Sequence, residues 1–295
     1  MLQTWPCSLP RMKPASVQAP NISSTVASSL SSRFQQNTIM NSPRKTALVT
    51  GAASGIGQAT AIRFAREGFA VYGGDMDEKG LADTQHQIAQ AGGVFVPYAL
   101  DVRDESQMAA YARRAVDGQG SLNAAISCAG VARTALVHDM SLDAWNFLLS
   151  INLTGTFLLS KHAIPYLKNA GGGAFVAVSS DAGVRGASGY AAYCASKHGV
   201  IGLIRCLALD YGRDNVRANA VCPGFVQTKM MDQLFAEATD PEAEKASYMR
   251  EIPNGRFARP SEVAAAIYHL ASDEASYTNG IIYSIDGGVT AGHFE

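Results

Sequence analysis

The sequence predicts an α/β fold: a doubly wound, mostly parallel sheet of seven strands with helices on both faces, in a single domain. Three observations carry that expectation. Short, nearly continuous apolar runs alternate with helical stretches from Lys45 onward. No linker and no internal repeat interrupts residues 45–295. A glycine turn, GAASGIG at 51–57, stands where the first strand gives way to the first helix.

The predicted strands are 45–50 (KTALVT), 69–75, 94–100, 122–128, 174–180, 216–222 and 280–285. Each is short, apolar and rich in Val, Ile, Ala or Phe, as a strand covered on both faces requires. Amphipathic stretches at about 56–67, 78–91, 104–117, 141–169, 188–212 and 260–271 supply the covering helices. A fold of this class places ligands at the carboxyl ends of its strands, so chemistry is sought just after each one.

After the first strand, Gly51, Gly55 and Gly57 permit a tight turn and close approach of a phosphate to the backbone, and the helix that follows offers free N–H groups. Ser54 and Ile56 lie in the same turn. A plain structural turn would look similar, but an acid, Asp75, closes the next strand. Its carboxylate is placed to accept hydrogen bonds from an adenosine ribose. It would repel a 2′-phosphate, since two charges ~4 Å apart are worth roughly 4 kcal/mol at an effective dielectric of 20. No Arg or Lys occurs in 51–57 or at Met76. The expected cofactor is therefore NAD(H) rather than NADP(H).

Composition narrows the remaining classes. Of 295 residues, 47% are hydrophobic and 17% charged, and the formal net charge is −1, so no nucleic-acid footprint stands out. The most apolar helical stretch, His198 to Tyr211, is broken by Arg205 and Asp210 and is too short to span a bilayer. The five cysteines show no C-x-x-C and no cluster with the scattered histidines, which implies a reduced compartment and no metal site. Residues 1–44 hold four basic and no acidic residues and are rich in Ser and Pro. Such a segment is expected to be disordered. It reads as an inert tail or a start placed upstream of Met40, giving a cytoplasmic protein, or else as a transit peptide, giving a mitochondrial or plastid one.

The stretch YAAYCASK at 190–197 puts Tyr193 and Lys197 on one helix face, with Tyr190 a turn earlier on the same face. Together with TGAASGIG (50–57) and VRANAVCPG (216–224), it resembles the short-chain dehydrogenase/reductase family over about 45–295, in the right order and spacing. The resemblance implies a Rossmann-type fold and hydride transfer between a nicotinamide and an alcohol or ketone. It implies Tyr193 as general acid/base, Lys197 beside it and on the nicotinamide ribose, and Ser180, thirteen residues upstream, on the substrate oxygen. Ser179 is the competing serine, and only one of two strand neighbours can face the site. Asn152 in INLTGTF matches the family's structural and proton-relay asparagine; a kink or a cap is the alternative for an Asn in a helix. The chemistry has a physical demand: a phenol titrates near pH ~10, and lowering that by about three units takes about 4 kcal/mol of preferential anion stabilisation.

By the same resemblance, Asp101 and Val102 frame the adenine, Ala129 and Gly130 end a motif after the fourth strand, and Pro223, Val226 and Thr228 close over the nicotinamide carboxamide. Ser127, Cys128 and Asn123 depart from the family pattern on the adenosine side. A segment between Thr228 and Arg259 matches a substrate lid. Its Met230, Met231, Leu234, Phe235, Tyr248, Met249 and Ile252 suit a hydrophobic or ring-shaped small-molecule substrate, or simply pack the lid closed. Asp181 and Arg185 read as solvated loop charges or, alternatively, as contacts for a polar substrate group. The long helices at about 152–169 and 193–212 imply a homodimer or homotetramer. The alternatives to the redox reading are a cofactor-binding sensor without turnover and a non-redox lyase or epimerase on the same fold.

Overall fold

The computed structural model describes residues 44–236 and 238–292. The reading of residues 1–44 therefore lies outside the described residues except at Arg44. Seven parallel strands form one sheet: β1 (Thr46–Thr50), β2 (Ala70–Asp75), β3 (Val94–Ala99), β4 (Ala124–Ser127), β5 (Gly173–Val178), β6 (Val216–Pro223) and β7 (Ile282–Ile285). Their order is β3-β2-β1-β4-β5-β6-β7. The chain thus runs outward from β1 to β3, then returns to build the other half from β4. The carboxyl ends of β1 and β4 border the point of reversal, where a doubly wound sheet opens a crevice.

The strands sort their side chains by alternation. Leu48 faces one core, with Tyr111, Leu159, Phe175 and Ile204, while its neighbour Val49 faces the other, with Phe64, Ile88, Ile126 and Ile267. The first core lies under α3 (Glu105–Gln119), α5 (Gly155–Asn169) and α6 (Ala191–Tyr211). The second lies under α1 (Gly55–Arg66), α2 (Glu78–Gln90) and α9 (Pro260–Ala271). No helix among the described residues is long and apolar enough to cross a membrane.

Two departures from the predicted elements matter for the site. The helix expected over 141–169 is divided: α4 (Leu142–Leu149) joins α5 through a π-helical turn at Ser150–Thr154. Asn152 sits in that turn, where its side chain is drawn to the β4 loop. The segment 228–259, to which the sequence assigned no helix, is the second. It folds into α7 (Lys229–Ala236) and α8 (Pro241–Arg250), the second capped by the Asp240 carboxylate, which accepts from the Ala243 N–H at 3.0 Å.

Candidate active site

The turn after β1 is built around residues that only glycine suits. Gly51 has φ +70°, and a Cβ there would meet the Ala129 amide nitrogen at 2.8 Å. A Cβ on Gly57 would overlap the Gly51 carbonyl oxygen. The turn is pinned to its neighbours: Gly51 N–H donates to the Gly74 carbonyl (2.8 Å), and Thr50 Oγ1 accepts from Cys128 N–H (3.2 Å). The helix start that follows is left open. Asp77, Asp104 and Ser141 cap α2, α3 and α4 with side-chain acceptors, but Ser54 at the start of α1 makes no such bond. Unbonded N–H groups at a positive dipole end, over a glycine turn, suit a phosphate.

Asp75, at the end of β2, accepts from the Ala53 N–H (3.1 Å) and the Asp77 N–H (3.0 Å), so its carboxylate is held beside the glycine turn. At the end of β3 the nearest cation is already engaged: Arg103 Nη2 and Nε donate to the Asp101 carboxylate at 2.6–3.1 Å. That guanidinium holds the Asp101 carboxyl below its ordinary range. On the adenosine side, the residues that depart from the family pattern bond within the sheet region. Asn123 Oδ1 accepts from the Thr46 N–H (2.8 Å), and Ser127 Oγ lies 2.9 Å from Thr156 Oγ1.

The second half of the sheet supplies the polar cluster. Lys197 is buried in α6, directs Nζ to the Val178 carbonyl (2.9 Å), and lies 5.6 Å from the centre of the Tyr193 ring. Burial pulls the Lys197 ammonium down to about 8 and pushes the Tyr193 phenol up to about 12; the neighbouring Ser180 hydroxyl opposes the latter. Of the two serines after β5, Ser179 Oγ is spent on the Lys197 carbonyl (2.9 Å). Ser180 Oγ accepts from the Ala182 N–H (3.2 Å) and donates to Asp181 Oδ1 (2.8 Å).

Asp181 is only 8% exposed, which overturns its reading as a solvated charge. Its second oxygen accepts two hydrogen bonds from Arg185 (2.8 and 3.0 Å). Nothing in the sequence signals this, because an acid after a strand is usually hydrated; here Ser180 and Arg185 satisfy it. Asn152, 1% exposed, accepts from the Val131 N–H (2.8 Å) and donates to the Val131 carbonyl (2.9 Å) and Ser196 Oγ (3.1 Å). It ties the loop after β4 to α6. Gly130 leaves that junction open, since a Cβ there would stand 3.3 Å from Asn152 Oδ1 and 3.4 Å from Lys197 Nζ.

One cavity of about 1370 Å³ runs along these carboxyl ends. It is lined by Gly51, Ser54, Gly55, Ile56 and Gly57, by Asp75, Asp101 and Val102, by Ala129 and Gly130, and by Ser180, Tyr193, Lys197, Pro223, Val226 and Thr228. Every residue expected to touch cofactor thus faces one space, while Asn152 stands behind its wall. The residues fit a dinucleotide: an open helix start for phosphate, an acid for ribose, and the tyrosine–lysine pair at the far end. Phe225 also lines the cavity, and its ring packs against Tyr248 with centroids 4.9 Å apart. Sequence reading overlooked Phe225, although it lies within the Pro223–Val226 run.

Residues 51–290 match a family model described as enoyl-(acyl carrier protein) reductase. The chain is 42% identical over 248 residues to cis-4-hydroxycyclohexanecarboxylate dehydrogenase of Sinomonas cyclohexanicum, covering 84% of this chain and 97% of that protein. Its structure is similar to that of levodione reductase, with a TM-score of 0.82 at 30% identity over 84% of this chain and 98% of the other. It is also similar to a putative NAD(P)-dependent gluconate 5-dehydrogenase from Beutenbergia cavernae with NADP bound at low occupancy. The TM-score there is 0.78 at 33% identity, covering 84% of this chain and 97% of that one.

Proposed function

The chain belongs to the short-chain dehydrogenase/reductase family, and on that footing we propose that it is an NAD(H)-dependent oxidoreductase interconverting a secondary alcohol and a ketone, with Tyr193 as general acid/base. The observation that carries the reading is the buried Tyr193–Lys197 pair with Ser180 beside it, at the end of a cavity that begins at an uncapped helix start. The relatives named as a dehydrogenase of a hydroxycyclohexane acid and a reductase of levodione support a small-molecule alcohol or ketone.

When bound, the nicotinamide supplies the hydride acceptor for oxidation and the donor for reduction. The protein's part is the proton and the oxygen. In oxidation, the Tyr193 phenolate takes the proton from the alcohol O–H as the carbon loses its hydride; in reduction, the phenol returns it to the ketone oxygen. Ser180 Oγ turns from Asp181 to donate to the substrate oxygen and stabilises the charge gathering there. Lys197 holds its Nζ 5.6 Å from the centre of the Tyr193 ring, where a cation favours the phenolate against the burial that raises it, and it would contact the nicotinamide ribose. Asn152 keeps the β4 loop against α6 and relays the proton onward. Preference for NAD(H) is supported by the Asp75 carboxylate and by the tying of Arg103 to Asp101. Asp101 and Val102 would hold the adenine, and Pro223, Val226 and Thr228 the carboxamide, since all of them line the cavity.

We further propose that α7 and α8 form the lid, and that the protein is a homodimer or homotetramer joined through α5 and α6. Phe157 and Leu209 on those helices are 46% and 84% exposed. Light scattering on the purified protein is expected to give at least a dimer, and a monomer at micromolar concentration would remove the second proposal. The function is tested by a screen of ring and open-chain secondary alcohols, their ketones and an enoyl thioester, each with both nicotinamides, following NADH or NADPH absorbance. Turnover of the alcohols or ketones with NAD(H) is expected. Turnover of the enoyl thioester alone, or of nothing, would contradict the reading.

A further inference from the structure

At the substrate end, beyond Tyr193, the cavity wall has a composition the reaction itself does not require. Tyr190, Tyr193, Phe225 and Tyr248 present four aromatic rings. The Tyr190 ring lies edge-on to Tyr193 with centroids 6.0 Å apart, and its hydroxyl lies 3.4 Å from that of Tyr248. Such walls suit a ring, whose faces and edges they can cover.

Acids predominate among the charges around them. Glu244 and Tyr248 on α8 and Glu251 at its C-cap follow at helical spacing, and all line the cavity. Asp181 lines it as well. The cation in this part of the wall, Arg185, is already spent: it donates twice to Asp181 and lies 3.6 Å from Glu251. Glu244 forms no ion pair and no side-chain hydrogen bond with another described residue, and its charge bears on the Tyr190 phenol, which is held above its ordinary range mainly by burial.

The other cations of the cavity stand on elements other than α8. Arg133 stacks on Phe147 at 4.7 Å, a ring that also has Arg103 within 5.7 Å, toward the end of β3. Lys229 stands at the start of α7, next to Thr228 and near the glycine turn. Lys197 lies beneath Tyr193. A substrate carboxylate entering past α8 would therefore meet three carboxylates, Asp181, Glu244 and Glu251, against one guanidinium, Arg185, that is already paired.

From this we infer that the site selects an uncharged ring-shaped alcohol or ketone and rejects a carboxylated ring of the same size. The inference rests on the oxidoreductase reading above and deepens it. Anion rejection belongs to Glu244 and Glu251, and ring acceptance to the four aromatic residues.

The test compares 4-hydroxycyclohexanecarboxamide with 4-hydroxycyclohexanecarboxylate, which match in size and differ in charge. Two readouts are taken: kcat/KM with NAD, and binding to the NAD-saturated protein by calorimetry. The amide is expected to exceed the carboxylate at least tenfold in both. In the double variant Glu244→Gln/Glu251→Gln that ratio is expected to fall at least fivefold. Equal use of the two rings, or preference for the carboxylate, would overturn the inference while leaving the oxidoreductase reading intact. An unchanged ratio in the double variant would overturn it as well. If neither ring is turned over, the calorimetric ratio still decides the inference, and the failure of turnover counts against the proposed function alone.

Discussion

Tyr193 and Lys197 occupy a place that disfavours the charged form of each. Burial holds the phenol at about 12 and the ammonium at about 8, against ordinary values of 10.0 and 10.5. For Lys197 the consequence for stability has a definite sign. Between about pH 8 and 10.5 the unfolded chain binds a proton at this position that the folded chain has released, so stability rises with pH across that window. Below it both states carry the charge and the folded state bears the full cost, on the order of 3 kcal/mol. Lys197→Met should therefore melt no lower than the native protein at pH 7, and should lose the native protein's relative gain between pH 7 and 9.5, while turnover falls by orders of magnitude. Melting curves at the two pH values check this; a variant that melts well below the native protein at pH 7 contradicts it. The same scale shows what sequence could and could not reveal. Tyr193 and Lys197 were legible because a four-residue spacing fixes one helix face. Asp181 was not, because its burial depends on Ser180 and on Arg185 four residues away.

At the scale of elements, the turn from β1 into α1 is where backbone geometry decides binding. Gly57→Ala forces a methyl against the Gly51 carbonyl, a misfit that typically costs 1–3 kcal/mol, roughly, and that moves the N–H groups facing the phosphate. We expect a lowered melting temperature and at least tenfold weaker NAD binding by calorimetry. Native-like binding would mean that the turn does not hold the cofactor. The strands and this turn were readable because short apolar runs and glycine have few other uses. The break at Ser150–Thr154 was legible only as the kink that an Asn in a helix allows, since INLTG carries no helix-breaking proline and the pull of Asn152 toward Val131 is a tertiary contact. The helices α7 and α8 were not legible, because their apolar residues pack on one another, as Phe235 does on Tyr248 and Phe257, rather than on the sheet.

Over the whole molecule, one cavity runs along the carboxyl ends of both halves of the sheet, β1 to β3 and β4 to β6. On the proposed function, cofactor choice belongs to the first half. Asp75→Asn keeps an acceptor for the Ala53 N–H but removes the charge, and should raise kcat/KM with NADP relative to NAD at least tenfold; an unmoved ratio would place selection elsewhere. On the same proposal, proton transfer belongs to the second half, and Tyr193→Phe separates the two most directly. The variant removes one oxygen and leaves Lys197, Ser180 and the glycine turn in place. NAD affinity by calorimetry should stay within a few-fold of the native protein while kcat, followed as NADH absorbance on whichever alcohol the native protein oxidises, falls at least a thousandfold. Turnover comparable to the native protein's, with NAD still bound, would contradict Tyr193 as the proton carrier.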